Sequence, residues 1–159
     1  MLKYVNYDIV FQEIPDEVIL AINLSNCPHR CHGCHSPHLQ QNIGEKLDLP
    51  LLTSLLYRYG GLITCVCFMG GDSNPNEVCL MAAFIQEKFN GKIKTAWYSG
   101  CSSIDSTINI ESFNFIKIGP YIEHLGGLDK PTTNQRLYQI EGGRMIDITW
   151  KMQRKHRPM

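Results

Sequence analysis

The sequence predicts an α/β fold built on a mainly parallel sheet, and three observations predict it. Runs with strand character alternate with runs of helical periodicity between residues 49 and 118. Residues 62–68, Leu-Ile-Thr-Cys-Val-Cys-Phe, are almost continuously apolar, as a parallel strand covered on both faces requires. The strand-like runs also end in loops rich in glycine or cysteine, beyond the carboxyl ends of strands, where open α/β sheets bind their ligands.

Taken in order, Tyr4–Phe11 and Val18–Leu24 read as strands separated by the turn signal Pro15-Asp16. The second strand leads into a cysteine loop. From Leu49 to Tyr59, residues Leu51, Leu52, Leu55, Leu56 and Tyr59 recur at helical spacing, and Gly60-Gly61 ends the run. The strand Leu62–Phe68 follows and runs into Met69-Gly70-Gly71-Asp72. Asn76–Phe89 reads as a helix with Val78, Met81, Ala82, Ile85 and Phe89 on one face. The strand Ile93–Tyr98 then gives way to Ser99-Gly100, to a weakly helical or irregular stretch through Ile110, and to a strand at Phe115–Ile118. Residues 119–135 form a long, turn-rich connection. Arg136–Ile140 and Arg144–Thr149 form a closing hairpin through Glu141-Gly142-Gly143.

At 159 residues, with 43% hydrophobic and 19% charged, the chain fits one domain, 1–159, ending in a short basic tail, 151–159. Fifteen basic against fifteen acidic residues leave no overall charge to attract nucleic acid or an anionic membrane. No run approaches the ~18 apolar residues that a membrane helix needs. The first residues lack the pattern of a signal peptide, so a cytoplasmic protein is expected. Seven cysteines in a reducing compartment point to metal ligands rather than to a disulfide framework.

The densest chemistry is Cys27-Pro28-His29-Arg30-Cys31-His32-Gly33-Cys34, with three and then two residues between thiols. Such a loop suits an iron-sulfur cube, because three cysteines leave one iron without a protein ligand. It also suits a structural zinc completed by His29, His32, His35 or His38. The second motif, Gly70-Gly71-Asp72, lets backbone approach a ligand closely and adds a carboxylate suited to an ammonium group.

These two motifs in succession resemble the radical S-adenosylmethionine superfamily. Within it, Cys27 to Pro37, Phe68 to Asp72, Trp97 to Gly100, Gly119 to Ile122 and Thr132 to Arg136 resemble, in the same order, the small activases of anaerobic ribonucleoside-triphosphate reductases. The likeness spans about residues 20–140. It implies an incomplete (βα) barrel with a [4Fe-4S] cluster on Cys27, Cys31 and Cys34 and S-adenosylmethionine on its open iron. It places Gly33, Cys34 and His35 beside the cofactor, Gly70, Gly71 and Asp72 at its amino group, and Ser99 near its ribose. It further implies reductive cleavage of the cofactor to a 5'-deoxyadenosyl radical, with electrons from a low-potential donor such as flavodoxin. That radical generates a glycyl radical on the partner reductase, so no side chain is needed as general acid or base. Three features depart from common superfamily patterns. Gly33 precedes the last cysteine where an aromatic is frequent, Ser73 follows Asp72 where proline is common, and Cys101 stands where an aromatic is often seen.

Other residues carry blander expectations. Cys65 and Cys67 sit two apart on one strand, point to the same face and read as a buried, inert pair; Cys79 reads as core and Cys101 has no evident partner. His29, His32 and His38 read as solvated loop residues. Asn134, Gln135 and Arg136 read as a polar loop entering a strand, with a role at the partner surface or cofactor pocket on the strength of the resemblance. Lys151, Arg154, Lys155 and Arg157 read as a frayed basic terminus, with docking to an acidic partner face as the functional alternative. Activation of another glycyl-radical enzyme of pyruvate formate-lyase type, radical chemistry on a small molecule and a zinc-binding interaction module are the competing functions.

Overall fold

A computed structural model describes residues 1–34 and 36–156, with side chains through residue 153. Among the described residues the fold is a mixed α/β sheet of eight strands with two α-helices. In chain order these are β1 (Lys3–Val10), β2 (Ile19–Leu24), β3 (Glu45–Lys46), α1 (Leu49–Tyr59), β4 (Cys65–Met69), α2 (Pro75–Lys88), β5 (Lys94–Tyr98), β6 (Phe115–Ile118), β7 (Arg136–Glu141) and β8 (Arg144–Asp147). Across the sheet the order is β3-β1-β2-β4-β5-β6-β7-β8.

The parallel sheet expected from the sequence holds for the four central strands. β2 and β4, β4 and β5, and β5 and β6 pair parallel, while β1, β3, β7 and β8 are antiparallel to their neighbours. Short returns suit the antiparallel β1–β2 and β7–β8 pairs and long crossovers the parallel ones, but length alone does not decide: residues 119–135 form a long connection and still join β6 to β7 antiparallel. The hairpin between β7 and β8 turns at Gly142 and Gly143, with φ +56 and +76, the mirror-image backbone that matches strand twist. The crossover from β5 to β6 holds only a short 3-10 turn, Ile110–Ser112, in place of a third α-helix.

Strand alternation sorts the core into two faces. Leu20, Ile22, Val66, Phe68, Trp97 and Ile116 face the helices and join Leu52, Leu55 and Leu56 of α1 and Val78, Met81, Ala82 and Ile85 of α2. On the other face, Ile19, Ala21, Cys65, Cys67, Ala96 and Phe115 are covered by Ile14, Leu128 and Ile148 from connecting segments. Each helix has a definite start. Asp48 accepts the Leu51 N–H at 2.9 Å to cap α1, and Pro75 occupies the first turn of α2, where no intrahelical donor is needed.

Several boundaries shift from expectation. Leu62 lies outside β4 and is 66% exposed, because the turn after α1 carries it over the surface before the chain enters the sheet at Cys65. Phe11 lies beyond β1 and is likewise exposed. The terminus is not frayed at its start. Thr149 is buried and its Oγ1 accepts the Leu137 N–H at 2.8 Å, Met152 packs on the second face, and Gln153 donates to the carbonyls of Leu128 and Lys130. The basic side chains of Arg154, Lys155 and Arg157 lie outside the described residues. No described helix is long and apolar enough to cross a membrane.

Candidate functional site

The parallel register sets four strand ends side by side. Asn23 pairs with Met69, Met69 with Tyr98, and Tyr98 with Lys117. The loops that leave these ends enclose a cleft of about 220 Å³ bordered by Cys27, Cys31, Cys34, Gly70, Asp72 and Ser99. The structure thus brings together six of the nine residues that the resemblance places at the cluster and cofactor. Gly71 and Gly33 stand just outside this lining. Gly71, at φ +89, is buried, and a Cβ there would lie 2.5 Å from Val78 Cγ2 and 3.0 Å from Leu24 Cδ1. Gly33, at φ +74, lies against the Glu123 carboxyl group, and His32 pairs with that carboxylate at 3.2 Å on the surface. His35 lies outside the described residues.

Asp72 ties the loops together. Its side chain is only 2% exposed, and its oxygens accept from Ser99 Oγ at 2.6 Å and from the Gly100 N–H at 2.7 Å. His29 Nε2 lies 2.9 Å from the same carboxylate. The expectation of a solvated His29 is therefore corrected: the imidazole links the cysteine loop to the loops after β4 and β5. Its ring lies so close to Gly100 that a Cβ on that glycine would fall 2.7 Å from His29 Cδ2. His32 and His38 are exposed, as expected. The Gly70 backbone is fixed from two directions, donating to the Tyr98 carbonyl at 3.0 Å and accepting from Trp97 Nε1 at 2.7 Å. Trp97 in turn stacks on Phe113.

Lys117 also borders the cleft, and sequence reasoning passed over it. The signal was a lysine inside the apolar strand Phe115-Ile116-Lys117-Ile118. Its Nζ donates to the carbonyls of Ser99 at 3.1 Å and Gly119 at 2.8 Å and lies 5.7 Å from the center of the Tyr98 ring. Among the described residues no carboxylate forms an ion pair with it. Burial pushes the ammonium down to about 8, although the negative charges of Asp72, Cys31 and Cys27 oppose the fall. Gln135 reaches the same cleft, whereas Arg136 pairs with Asp147 at the surface.

The cysteines divide by environment. Cys27 is half-buried, and burial is the main influence holding its thiol above the ordinary range. Cys65 and Cys67 are fully buried, and burial drives both thiols far upward, so they are inert packing groups as expected. Cys79 is only half-buried, with Sγ 3.3 Å from Ser112 Oγ. Cys101 Sγ lies 3.8 Å from His29 Nε2, which supplies the partner that the sequence did not reveal.

Sulfur spacing tests which metal group the cysteine loop fits. A tetrahedral zinc with Zn–S bonds of about 2.3 Å holds its sulfurs ~3.8 Å apart. Among the described residues, the trio of ligand atoms found within 4.8 Å of one another is His29, Asp72 and Cys101 rather than the three loop sulfurs. The three loop thiols border one shared cleft.

No family model matches this chain. No curated protein matches it, and no solved structure does.

Proposed function

We propose that the chain is a radical S-adenosylmethionine enzyme, with its sheet as an incomplete (βα) barrel of that type. More particularly, we propose an activase that installs the glycyl radical of an anaerobic ribonucleoside-triphosphate reductase. The observation that carries this reading is the cleft in which Cys27, Cys31, Cys34, Gly70, Asp72 and Ser99 meet at the carboxyl ends of parallel strands. In this reading the three thiolates hold a [4Fe-4S] cluster and leave one iron open.

When bound, the cluster and cofactor supply one-electron cleavage of the sulfonium to methionine and a 5'-deoxyadenosyl radical, which takes hydrogen from a glycine Cα of the partner. The protein's own residues bind and orient. The positive φ of Gly70 and Gly71 exposes backbone where the amino group would lie, and Asp72 offers negative charge beside it. Asp72 also fixes Ser99, the residue proposed for the ribose. Lys117 places positive charge at a cleft lined by thiolates, offsetting their mutual repulsion. A low-potential donor such as flavodoxin and a cytoplasmic setting complete the proposal.

The test is anaerobic reconstitution, followed by reduction with S-adenosylmethionine and the cognate reductase. The expected results are iron and sulfide in matching amounts, 5'-deoxyadenosine as product and a glycyl radical doublet on the reductase. Cofactor cleavage without the doublet would remove the partner assignment and leave the enzyme class standing. Zinc uptake without sulfide or cleavage would remove both.

A further inference from the structure

We infer that His29, Asp72 and Cys101 form a second metal site, for a single divalent ion of the zinc type, that uses none of the three loop cysteines. His29 Nε2 lies 2.9 Å from Asp72 Oδ2 and 3.8 Å from Cys101 Sγ, and the three donor atoms all fall within 4.8 Å of one another. A tetrahedral ion with bonds of about 2.0–2.3 Å to nitrogen, oxygen and sulfur sets such donors ~3.3–3.7 Å apart. The two separations from His29 bracket that range, and the Asp72 and Cys101 donors lie within 4.8 Å of each other, so an ion has to close that third gap by at most about 1 Å. One nitrogen, one carboxylate and one thiolate form a donor set suited to zinc and poorly suited to magnesium or calcium.

The surroundings are those of a built site. The Asp72 side chain is 98% buried by its 2% exposure, and it is oriented by Ser99 Oγ and the Gly100 N–H. Hydrogen bonds of this kind aim a carboxylate ligand and hold it ready. The Cys101 N–H donates to Ser99 Oγ at 3.0 Å, so the thiol-bearing residue is pinned to the same hydroxyl. The donors come from three different loops, those after β2, β4 and β5. Asp72 and Cys101 also border a second cavity of about 360 Å³, whose lining includes none of Cys27, Cys31 and Cys34.

Occupation has a consequence for the proposed reaction, and this part rests on the radical-enzyme reading. Asp72 cannot serve an ion and the cofactor's ammonium group together, so zinc and S-adenosylmethionine exclude one another. In the cluster-free protein the same ion holds the cysteine loop, through His29, against the strand ends.

Cobalt(II) titration of the full chain tests the site, with Cys27, Cys31 and Cys34 all replaced by alanine and no cofactor or partner present. One equivalent should bind with a near-ultraviolet thiolate charge-transfer band and be displaced by zinc. Adding Cys101→Ser should remove the band and weaken zinc binding at least tenfold. Cobalt binding that lacks the band, or is indifferent to Cys101→Ser, would overturn the site. Should the alanine variant fail to hold its fold by circular dichroism, zinc per chain in the cluster-loaded protein gives the same answer. One zinc beyond the irons, lost in Cys101→Ser, supports the site, and none overturns it. A further arm separates the site from the functional reading. In the loaded protein, saturating zinc should weaken S-adenosylmethionine binding at least tenfold, and Cys101→Ser should abolish that effect. Cobalt binding as expected without this competition leaves the metal site intact and overturns the overlap with the cofactor.

Discussion

Lys117→Met probes the least ordinary charge in the molecule. The lysine is 8% exposed and its ammonium titrates at about 8 instead of its ordinary 10.5, chiefly because burial strips it of water. That gap corresponds to about 3 kcal/mol of strain on the charged form in the folded, metal-free protein. The sign follows from proton counting. Between pH 8 and 10.5 the unfolded chain binds more protons at this group than the folded one, so stability rises with pH in that window. Integrated from pH 7 to 9.5, the wild type should gain about 2 kcal/mol that the variant does not. The comparison must be a difference, because the buried thiols of Cys65 and Cys67 and the buried Tyr98 hydroxyl, all pushed upward, lower stability as pH rises through their unfolded values. Anaerobic urea unfolding of both proteins at several pH values measures it. A wild-type-minus-variant difference that stays flat from pH 7 to 9.5 would refute the reading of Lys117 as a buried cation with no ion-pair partner among the described residues. Loading the cleft with the proposed cluster should flatten that difference, since added negative charge in the cleft restores the ammonium.

Other predictions bear on the same loops. Gly71→Ala should cost about 2–4 kcal/mol, combining backbone strain at φ +89 with a Cβ 2.5 Å from Val78 Cγ2; urea midpoints check it, with Gly61→Ala, which meets nothing within 4 Å, as a near-neutral control. Cys31→Ala should leave the circular dichroism spectrum unchanged and abolish iron uptake, because the residue borders the cleft and is not part of either buried core. Cys67→Ala should do the reverse, keeping full iron uptake and losing about 1 kcal/mol or more by opening space in a fully buried position.

The central sheet was legible because its signals are local. The apolar run ending at Phe68 and the helical spacing of Leu52, Leu55 and Leu56 each report a burial pattern that one element imposes. Its edges were less so. β3, two exposed residues pairing with Lys3 and Tyr4, has no pattern of its own, and Leu62 reads as strand although only the fold reveals that it is surface. The site divides in the same way. Cys27, Cys31, Cys34 and Gly70-Gly71-Asp72 stand out by spacing alone. His29 looks like any loop histidine until the fold sets it beside Asp72, 43 residues away, and Cys101 has no partner until that histidine is placed. Lys117 was visible as a charge in an apolar strand, but only the three-dimensional register with Tyr98 assigns it to the cleft.

The proposed activity requires that the cysteine cleft hold a cluster with an iron open to the cofactor. Electron paramagnetic resonance of the reconstituted, reduced protein, recorded with and without S-adenosylmethionine and beside Cys31→Ala, tests this directly. A [4Fe-4S] signal that changes shape when the cofactor is added, and is missing from Cys31→Ala, is the predicted result. A protein that takes up zinc at the cysteine loop, gives no such signal and leaves the cofactor intact would contradict the account.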